Sequence, residues 1–285
     1  MKVIFSRKGF DSSYGKGCSP ILPNGKSFSI PIPSLNPDIG IPYSEIRTDY
    51  GNLEKVMHSL GLKVPESGKA HYDPDIIPSS FPRRENWHGI FGQCGAASSY
   101  LQNMSISIGD IFLFYGSFRP TLLDTKKGIV FSSSKPIHLI FGYLVIGDIV
   151  KLGNYVVDEF KIRNSEFVWA FNHPHFMSDK FGKQNIIFLA VDKFQNSPGY
   201  GAFYFNKNLV LTSPGCSKSI WELPKYFHYK YGTQISRHSN KERYNLLKDK
   251  LLLSSVAIGQ EFVITGNKKV NDWAISLITN LDTYQ

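Results

Sequence analysis

Two apolar runs, residues 111–115 and residues 137–146, constrain the fold of this chain more than any other feature. The first run, Ile-Phe-Leu-Phe-Tyr, shows no alternation between apolar and polar side chains, and both runs predict strands buried on both faces. Such strands need packing layers on both sides of their sheet. Shorter apolar segments between turn residues predict further strands at residues 2–6, 167–171, 185–191, 201–211 and 261–265.

Helical spacing of apolar residues is found on both sides of these strands. Asn267 is a suitable N-cap for the last and clearest helix. The predicted helices span residues 43–60, 92–103, 240–253 and 270–281.

The absence of repeats and linkers predicts one α+β domain over residues 1–285. We expect a mixed, mostly antiparallel sheet flanked by N- and C-terminal helices. The alternative is a partly closed barrel with its core at residues 105–212, because residues 109–115 and 138–143 are similar to the PUA-like barrels, which hold bases in a cleft.

Composition limits the class of protein. The chain has 285 residues, 42% of them hydrophobic, and no apolar run reaches the roughly 20 residues that span a bilayer. Residues 1–8 turn polar too early for a signal peptide, so a cytoplasmic location without membrane contact is expected. The three cysteines have the spacing of neither a disulfide framework nor a zinc cluster. The formal net charge of +9 favours a polyanionic partner such as a nucleotide or DNA.

The densest polar segment, residues 6–13, directly follows the first predicted strand. Arginine offers a fork of donors to a phosphate, and a glycine lets backbone N–H groups approach an anion. Asp11 in the same loop is a candidate acid or base. The predicted phosphate contacts are Ser6, Arg7, Lys8, Gly9, Ser12 and Ser13.

Histidines supply a second group of candidates. His71 and Asp73 lie in one turn, where a carboxylate can orient an imidazole for acid–base work. His173 and His175 are two residues apart, so both rings can meet one ligand. Because this pair lacks cysteine partners and the HExxH spacing, no metal is assigned to it. Further nucleotide contacts are predicted at Arg119 and His138.

The C-terminal third adds aromatic, cationic and acidic candidates. Trp221 can stack on a base, and Glu261 at a strand start can act as an acid, a base or an electrostatic group. The remaining predicted nucleotide contacts are Ser219, Arg237, His238 and Gln260.

Several of these segments together resemble the third family of nucleotide-modification-associated domains. The matching segments are residues 5–12, 19–21, 31–33, 71–74, 91–93, 109–116, 138–144, 172–175, 219–224 and 259–262. The resemblance implies a role near DNA-modification or phage–host conflict systems, with partner proteins of such a system. It implies no particular reaction.

We therefore expect an enzyme, a transferase or hydrolase, that adds a group to a nucleobase or nucleotide or removes one. The alternatives are a non-catalytic reader of modified bases and a structural partner in a defence complex. A further alternative is an ADP-ribosyltransferase with NAD as its cofactor, because Arg7, the hydroxyls of residues 212–213 and Glu261 occur in the order found in that class. Convergence of several titratable groups would distinguish an enzyme from a reader.

Overall fold

The computed structural model describes residues 1–12, 15–36, 38–152, 165–177, 181–182, 184–256 and 260–284. Its described α-helices are α1 (Leu53–Ser59), α2 (Gly95–Asn103) and α3 (Lys268–Asn280). Its described strands are β1 (Val3–Arg7), β2 (Ser19–Ile21), β3 (Ile41–Pro42), β4 (Arg47–Thr48), β5 (Gly51–Asn52), β6 (Lys69–Ala70), β7 (Ile90–Gln93), β8 (Ile111–Asp124), β9 (Gly128–Phe131), β10 (Ile137–Lys151), β11 (Ile186–Ala190), β12 (Lys193–Phe194), β13 (Ser197–Pro198), β14 (Tyr200–Phe203), β15 (Ile220–Pro224), β16 (Gln234–Ile235), β17 (Tyr244–Leu246), β18 (Lys250–Ser254), β19 (Glu261–Thr265) and β20 (Thr283–Tyr284).

An eleven-stranded, mostly antiparallel sheet dominates the structure. Its main path runs β16-β19-β1-β8-β10-β11-β7, and β2, β9, β14 and β20 pair alongside. Strand β1 lies parallel to β8, with Val3 opposite Ile111, and antiparallel to β19, with Ser6 opposite Glu261. The two end strands of the path, β16 and β7, do not pair with each other, so the sheet is open and the barrel alternative is wrong. The mixed, mostly antiparallel class is confirmed.

The two apolar runs form the centre of this sheet, as predicted. Residues 111–118 of β8 and residues 138–146 of β10 are buried throughout. Their aromatic side chains pack against β7 and β11: the rings of Phe91 and Phe112 have centroids 4.8 Å apart, and those of Phe112 and Phe188 are 4.9 Å apart. Close aromatic pairs of this kind add to the free energy gained from burial.

The predicted last helix is confirmed as α3. The Asn267 side chain accepts a hydrogen bond from the backbone N–H of Lys269 at 2.9 Å, which makes it the N-cap. Val270, Ala274 and Ile278 are buried at helical spacing. The N-terminal helix is shorter than predicted, because α1 begins only at Leu53, after the short β4–β5 hairpin.

The helix predicted at residues 240–253 is wrong. This segment forms β17 and β18, which pair with β15 in a separate three-stranded sheet. In β18 only Leu251 and Leu253 are buried, and this alternation of two fits a strand with one covered face. The strand predicted at residues 167–171 is also wrong, because Ser165–Ala170 is a 3₁₀ helix. No helix among the described residues is long and apolar enough to cross a bilayer.

Candidate functional site

A cavity of about 280 Å³ lies where the ends of β1 and β7 meet the start of β19 and the segment that follows β6. We call it the polar cavity. Its wall includes two cations, two carboxylates and two imidazoles from distant parts of the chain. The residues that line it are Arg7, Lys8, Gly9, Asp11, Ile32, His71, Asp73, Gly92, Gln93, Cys94, Ala97, His175, Phe181 and Gln260.

The cationic wall is formed by the end of β1. The backbone N–H of Arg7 donates to the carbonyl of Gln260 at 2.8 Å, and that of Lys8 donates to the carbonyl of Tyr115 at 2.8 Å. Gly9 then turns the chain with a φ of +79°, and a Cβ there would lie 2.3 Å from Ser29 Oγ. Only glycine accepts both this conformation and this approach. The sheet and this turn therefore fix the position of both cations.

Each cation lies beside a carboxylate. Arg7 Nε is 3.6 Å from Asp11 Oδ2, and Lys8 Nζ is 3.6 Å from Glu261 Oε1. Glu261 is 1% exposed and lies beneath the cavity rather than in its lining. A buried charge needs partners, and Glu261 has Lys8 as its cationic partner. This contact fits a role for Glu261 in positioning Lys8.

Glu261 also accepts hydrogen bonds from residues of two other strands, β1 and β7. The donors are Ser6 Oγ at 3.2 Å and Gln93 Nε2 at 2.5 Å, and both contact Oε1. Gln93 ends β7, so the carboxylate connects β19 with β7, an end strand of the sheet's main path, beneath the cavity.

The opposite wall is built on Asp73, which is buried. Its Oδ1 accepts a hydrogen bond from the backbone N–H of Gly92 at 2.8 Å. His173 Nε2 lies 3.3 Å from the same oxygen without the alignment of a hydrogen bond, and this contact is an ion pair only when the imidazole is protonated. Although burial raises the pKa of Asp73, the His173 contact and the charge of Lys8 hold that pKa well below its usual range. Asp73 is therefore an anion at neutral pH.

His71 and His175 complete this wall, with ring centroids 5.2 Å apart. Burial lowers the pKa of His71 to about 4 and the pKa of His175 to about 3. Both imidazoles are therefore uncharged at neutral pH, and each can offer a nitrogen lone pair.

Asn185 determines which nitrogen of His175 carries the proton. The Asn185 amide nitrogen donates to the carbonyl of His175 at 2.9 Å, so its oxygen faces Nδ1 of the ring at 2.7 Å. Nδ1 is then the donor, and the lone pair lies on Nε2. The ring of Phe181 stacks on this imidazole, with the two ring centroids 4.4 Å apart. A Cβ on Gly92 would lie 2.3 Å from the His175 ring, so the imidazole can occupy this position only because residue 92 has no side chain.

Several other predicted residues lie away from the polar cavity. His138 and Trp221 are buried together, with Trp221 Nε1 donating to His138 Nδ1 at 3.0 Å. Arg119 packs over the ring of Phe131 at 5.3 Å. Ser12 is exposed and Ser219 contacts Ser217. The predicted contact Ser13 lies outside the described residues.

Arg237 and His238 line a separate cavity of about 340 Å³. Arg237 lies over the ring of Tyr100 at 4.2 Å, and His238 Nε2 accepts from the backbone N–H of Val256 at 3.3 Å. The structure therefore does not bring this pair to the residues of β1.

Sequence reasoning missed several residues of the site, among them Gly92, Gln93, Cys94, Phe181 and Asn185. Gln93 belongs to a segment that carries the family resemblance, and this was the only signal for it. Cys94 follows it directly, and burial raises the pKa of its thiol. Phe181 and Asn185 show no local pattern, because their contacts with His175 depend entirely on the tertiary fold.

The fold and cavity define a class: an α+β protein with an open sheet and a cavity lined by cations, carboxylates and neutral imidazoles. The sequence model of the family described as nucleotide modification associated domain 3 matches residues 2–265, so the chain belongs to this family. This confirms the resemblance found in the sequence. No curated protein and no solved structure matches the chain.

Proposed function

We propose that this protein binds a nucleotide, or a single unpaired base of DNA, in the polar cavity and transfers a group to it or removes one. The observation that carries this proposal is the convergence of Arg7, Lys8, His71 and Asp73 on one cavity. The family description supports a nucleotide as the ligand. A place among DNA-modification systems, including those of phage conflict, is part of the proposal.

The size of the cavity favours a small ligand. Its volume of about 280 Å³ is near the lower end of ligand pockets, which run from roughly 300 to 1,000 Å³. A mononucleotide or one extruded base suits this volume better than a dinucleotide. Thr212, which the NAD hypothesis requires, lines a different cavity. We therefore propose a ligand smaller than NAD.

The charges favour a phosphate beside β1. Arg7 and Lys8 are held by the sheet, so little conformational entropy is lost when they bind an anion. The rest of the wall favours an enzyme over a reader, because a reader needs an apolar slot and few titratable groups. In this proposal Asp11, His71 and Asp73 carry the chemistry, and Glu261 positions Lys8.

The test compares two paired substitutions by isothermal titration with nucleoside monophosphates and short single-stranded DNA. In Lys8→Met with Glu261→Gln, both charges of the buried pair are removed together, which avoids an unpaired buried carboxylate. Loss of a charge-assisted hydrogen bond to phosphate should weaken binding about 10- to 100-fold.

The matched control is Lys250→Met with Glu222→Gln, an exposed pair at 2.8 Å on the three-stranded sheet. It should bind nucleotides as the unchanged protein does. The proposal fails if the unchanged protein binds none of these ligands, or if both paired variants bind them equally well.

A further inference from the structure

The buried carboxylate of Asp73 has neighbours that point to a ligand beyond the nucleotide. Among the described residues its one ion-pair partner is His173, whereas Arg7 and Lys8 lie beside Asp11 and Glu261. Charges buried in proteins are paired or coordinate metals. Among the described residues, Asp73 is therefore a buried carboxylate with no lysine or arginine at ion-pair distance, although the charge of Lys8 acts on it from further away.

The donor atoms around Asp73 suit a metal ion. One atom each from His71, Asp73 and His175 lie within 4.8 Å of one another. Ligand atoms at roughly 2.0 to 2.2 Å from one tetrahedral ion are about 3.3 to 3.6 Å apart, so these atoms must approach one another by at most about 1.5 Å to bind one ion. Two imidazoles and one carboxylate form a donor set that Zn²⁺ and Fe²⁺ accept.

We propose that His71, Asp73 and His175 bind one divalent transition-metal ion in the wall of the polar cavity. The three side chains line the cavity, so the remaining coordination positions are open to water or to an oxygen of the bound molecule. This inference goes beyond the proposed function and does not depend on nucleotide binding. It gives His71 and Asp73 the role of ligands in place of proton transfer.

The second layer around these residues has the arrangement found around metal ligands. Metal-bound histidines usually donate their other ring N–H to a carbonyl or carboxylate, which fixes the tautomer. His175 donates its Nδ1–H to the Asn185 side-chain oxygen at 2.7 Å and leaves Nε2 as the ligand atom. The Gly92 backbone N–H orients Asp73 at 2.8 Å.

The sequence assigned no metal because the His173–His175 pair lacks local partners. The structure shows a different set, in which His175 joins two residues about a hundred positions earlier in the chain. His173 contacts Asp73 at 3.3 Å and is a positioning residue.

The experiment uses the full chain, treated with a chelator and then titrated with Co²⁺ by visible absorption. Zn²⁺, and Fe²⁺ without oxygen, compete in separate arms to identify the preferred ion. We expect one ion per chain. His71→Gln and Asp73→Asn should each weaken binding by more than about 100-fold, and Asn185→Ala by about 10- to 100-fold. His58→Gln, on the exposed face of α1, should bind as the unchanged protein does.

Two outcomes overturn the metal site: no saturable binding by the unchanged protein, or equal binding by it and by both His71→Gln and Asp73→Asn. Asp73→Asn keeps the side-chain shape and His71 is partly exposed, so these variants are expected to fold, as circular dichroism would verify. Each titration is repeated with a nucleoside monophosphate. Metal binding without nucleotide binding supports the metal site and refutes the proposed function, and the reverse result does the opposite.

Discussion

Buried histidines occur in two different settings in this protein. At the polar cavity are His71 and His175, and against the three-stranded C-terminal sheet is His138. Burial lowers the pKa of all three, to about 4 for His71 and to about 3 for the other two. The hydrogen bonds differ, because Nδ1 of His175 donates to Asn185 whereas Nδ1 of His138 accepts from Trp221.

The two settings therefore differ in whether the lone pair of the imidazole is available to a ligand. In His175 the free lone pair is on Nε2 at the cavity, while in His138 the lone pair on Nδ1 is used by a buried indole. A lowered pKa reports burial in both. A histidine of a candidate functional site is distinguished from a core histidine by its access to a cavity and by other polar groups nearby.

The largest expected effect is on stability, and it concerns Trp221, the hydrogen-bond partner of His138. Trp221 is 1% exposed, so Trp221→Ala should lower the free energy of unfolding by about 3–5 kcal/mol. Urea denaturation measures this loss. Nucleotide binding by the folded protein should persist, and its loss under folding conditions would mean that the two regions are coupled.

Overpacking at the polar cavity should lower the free energy of unfolding less than Trp221→Ala does, but it should weaken ligand binding more. In Gly92→Ala the new Cβ lies 2.3 Å from the His175 ring, which should cost about 1–3 kcal/mol and displace the imidazole. Both nucleotide and Co²⁺ affinity should fall. Gly147→Ala is the control, since its Cβ meets Val191 at 2.8 Å, away from the polar cavity. Equal binding by both variants would contradict the placement of His175.

The core histidine should make stability depend on pH. The pKa of His138 is lowered to about 3, so below pH 6.5 the unfolded chain binds a proton that the folded chain does not. Stability is then fully present above pH 6.5 and falls as the pH decreases toward 3. His138→Gln should reduce the slope of unfolding free energy against pH by up to about 1.4 kcal/mol per pH unit. An unchanged slope between pH 6 and 4 would refute this.

The smallest expected effect is that of Lys250→Met, which is compared with Lys8→Met at the Lys–Glu pair of the other region. Lys250, with its side chain 45% exposed, pairs with Glu222 in solvent, so Lys250→Met should change stability by less than about 1 kcal/mol. Lys8→Met alone leaves Glu261 buried without its cation and should cost about 3 kcal/mol. Thermal and urea unfolding measure both. Similar losses in the two variants would mean that water reaches Glu261.

Several strands in the interior of the sheet were predictable, because their signals are local. Residues 111–115 are apolar without interruption, and residues 261–265 match β19 from end to end. Residues 240–253 were misassigned because leucines at 247, 251 and 252 suit a helix, while pairing with β15 buries Leu251 and Leu253 instead. Hydrogen bonds from a strand distant in the sequence decided between the helical period and the strand period of this segment.

The sequence by itself determined the mixed class, the central strands, the last helix and the polar loop after β1, since each depends on neighbours along the chain. Only the tertiary structure decided that Asp73 and His175 meet beside Lys8, that Glu261 lies beneath them, and that Trp221 is buried elsewhere. Convergence depends on strand order and register, which are set by pairings between residues more than a hundred positions apart. Such pairings leave no periodic trace in a single sequence.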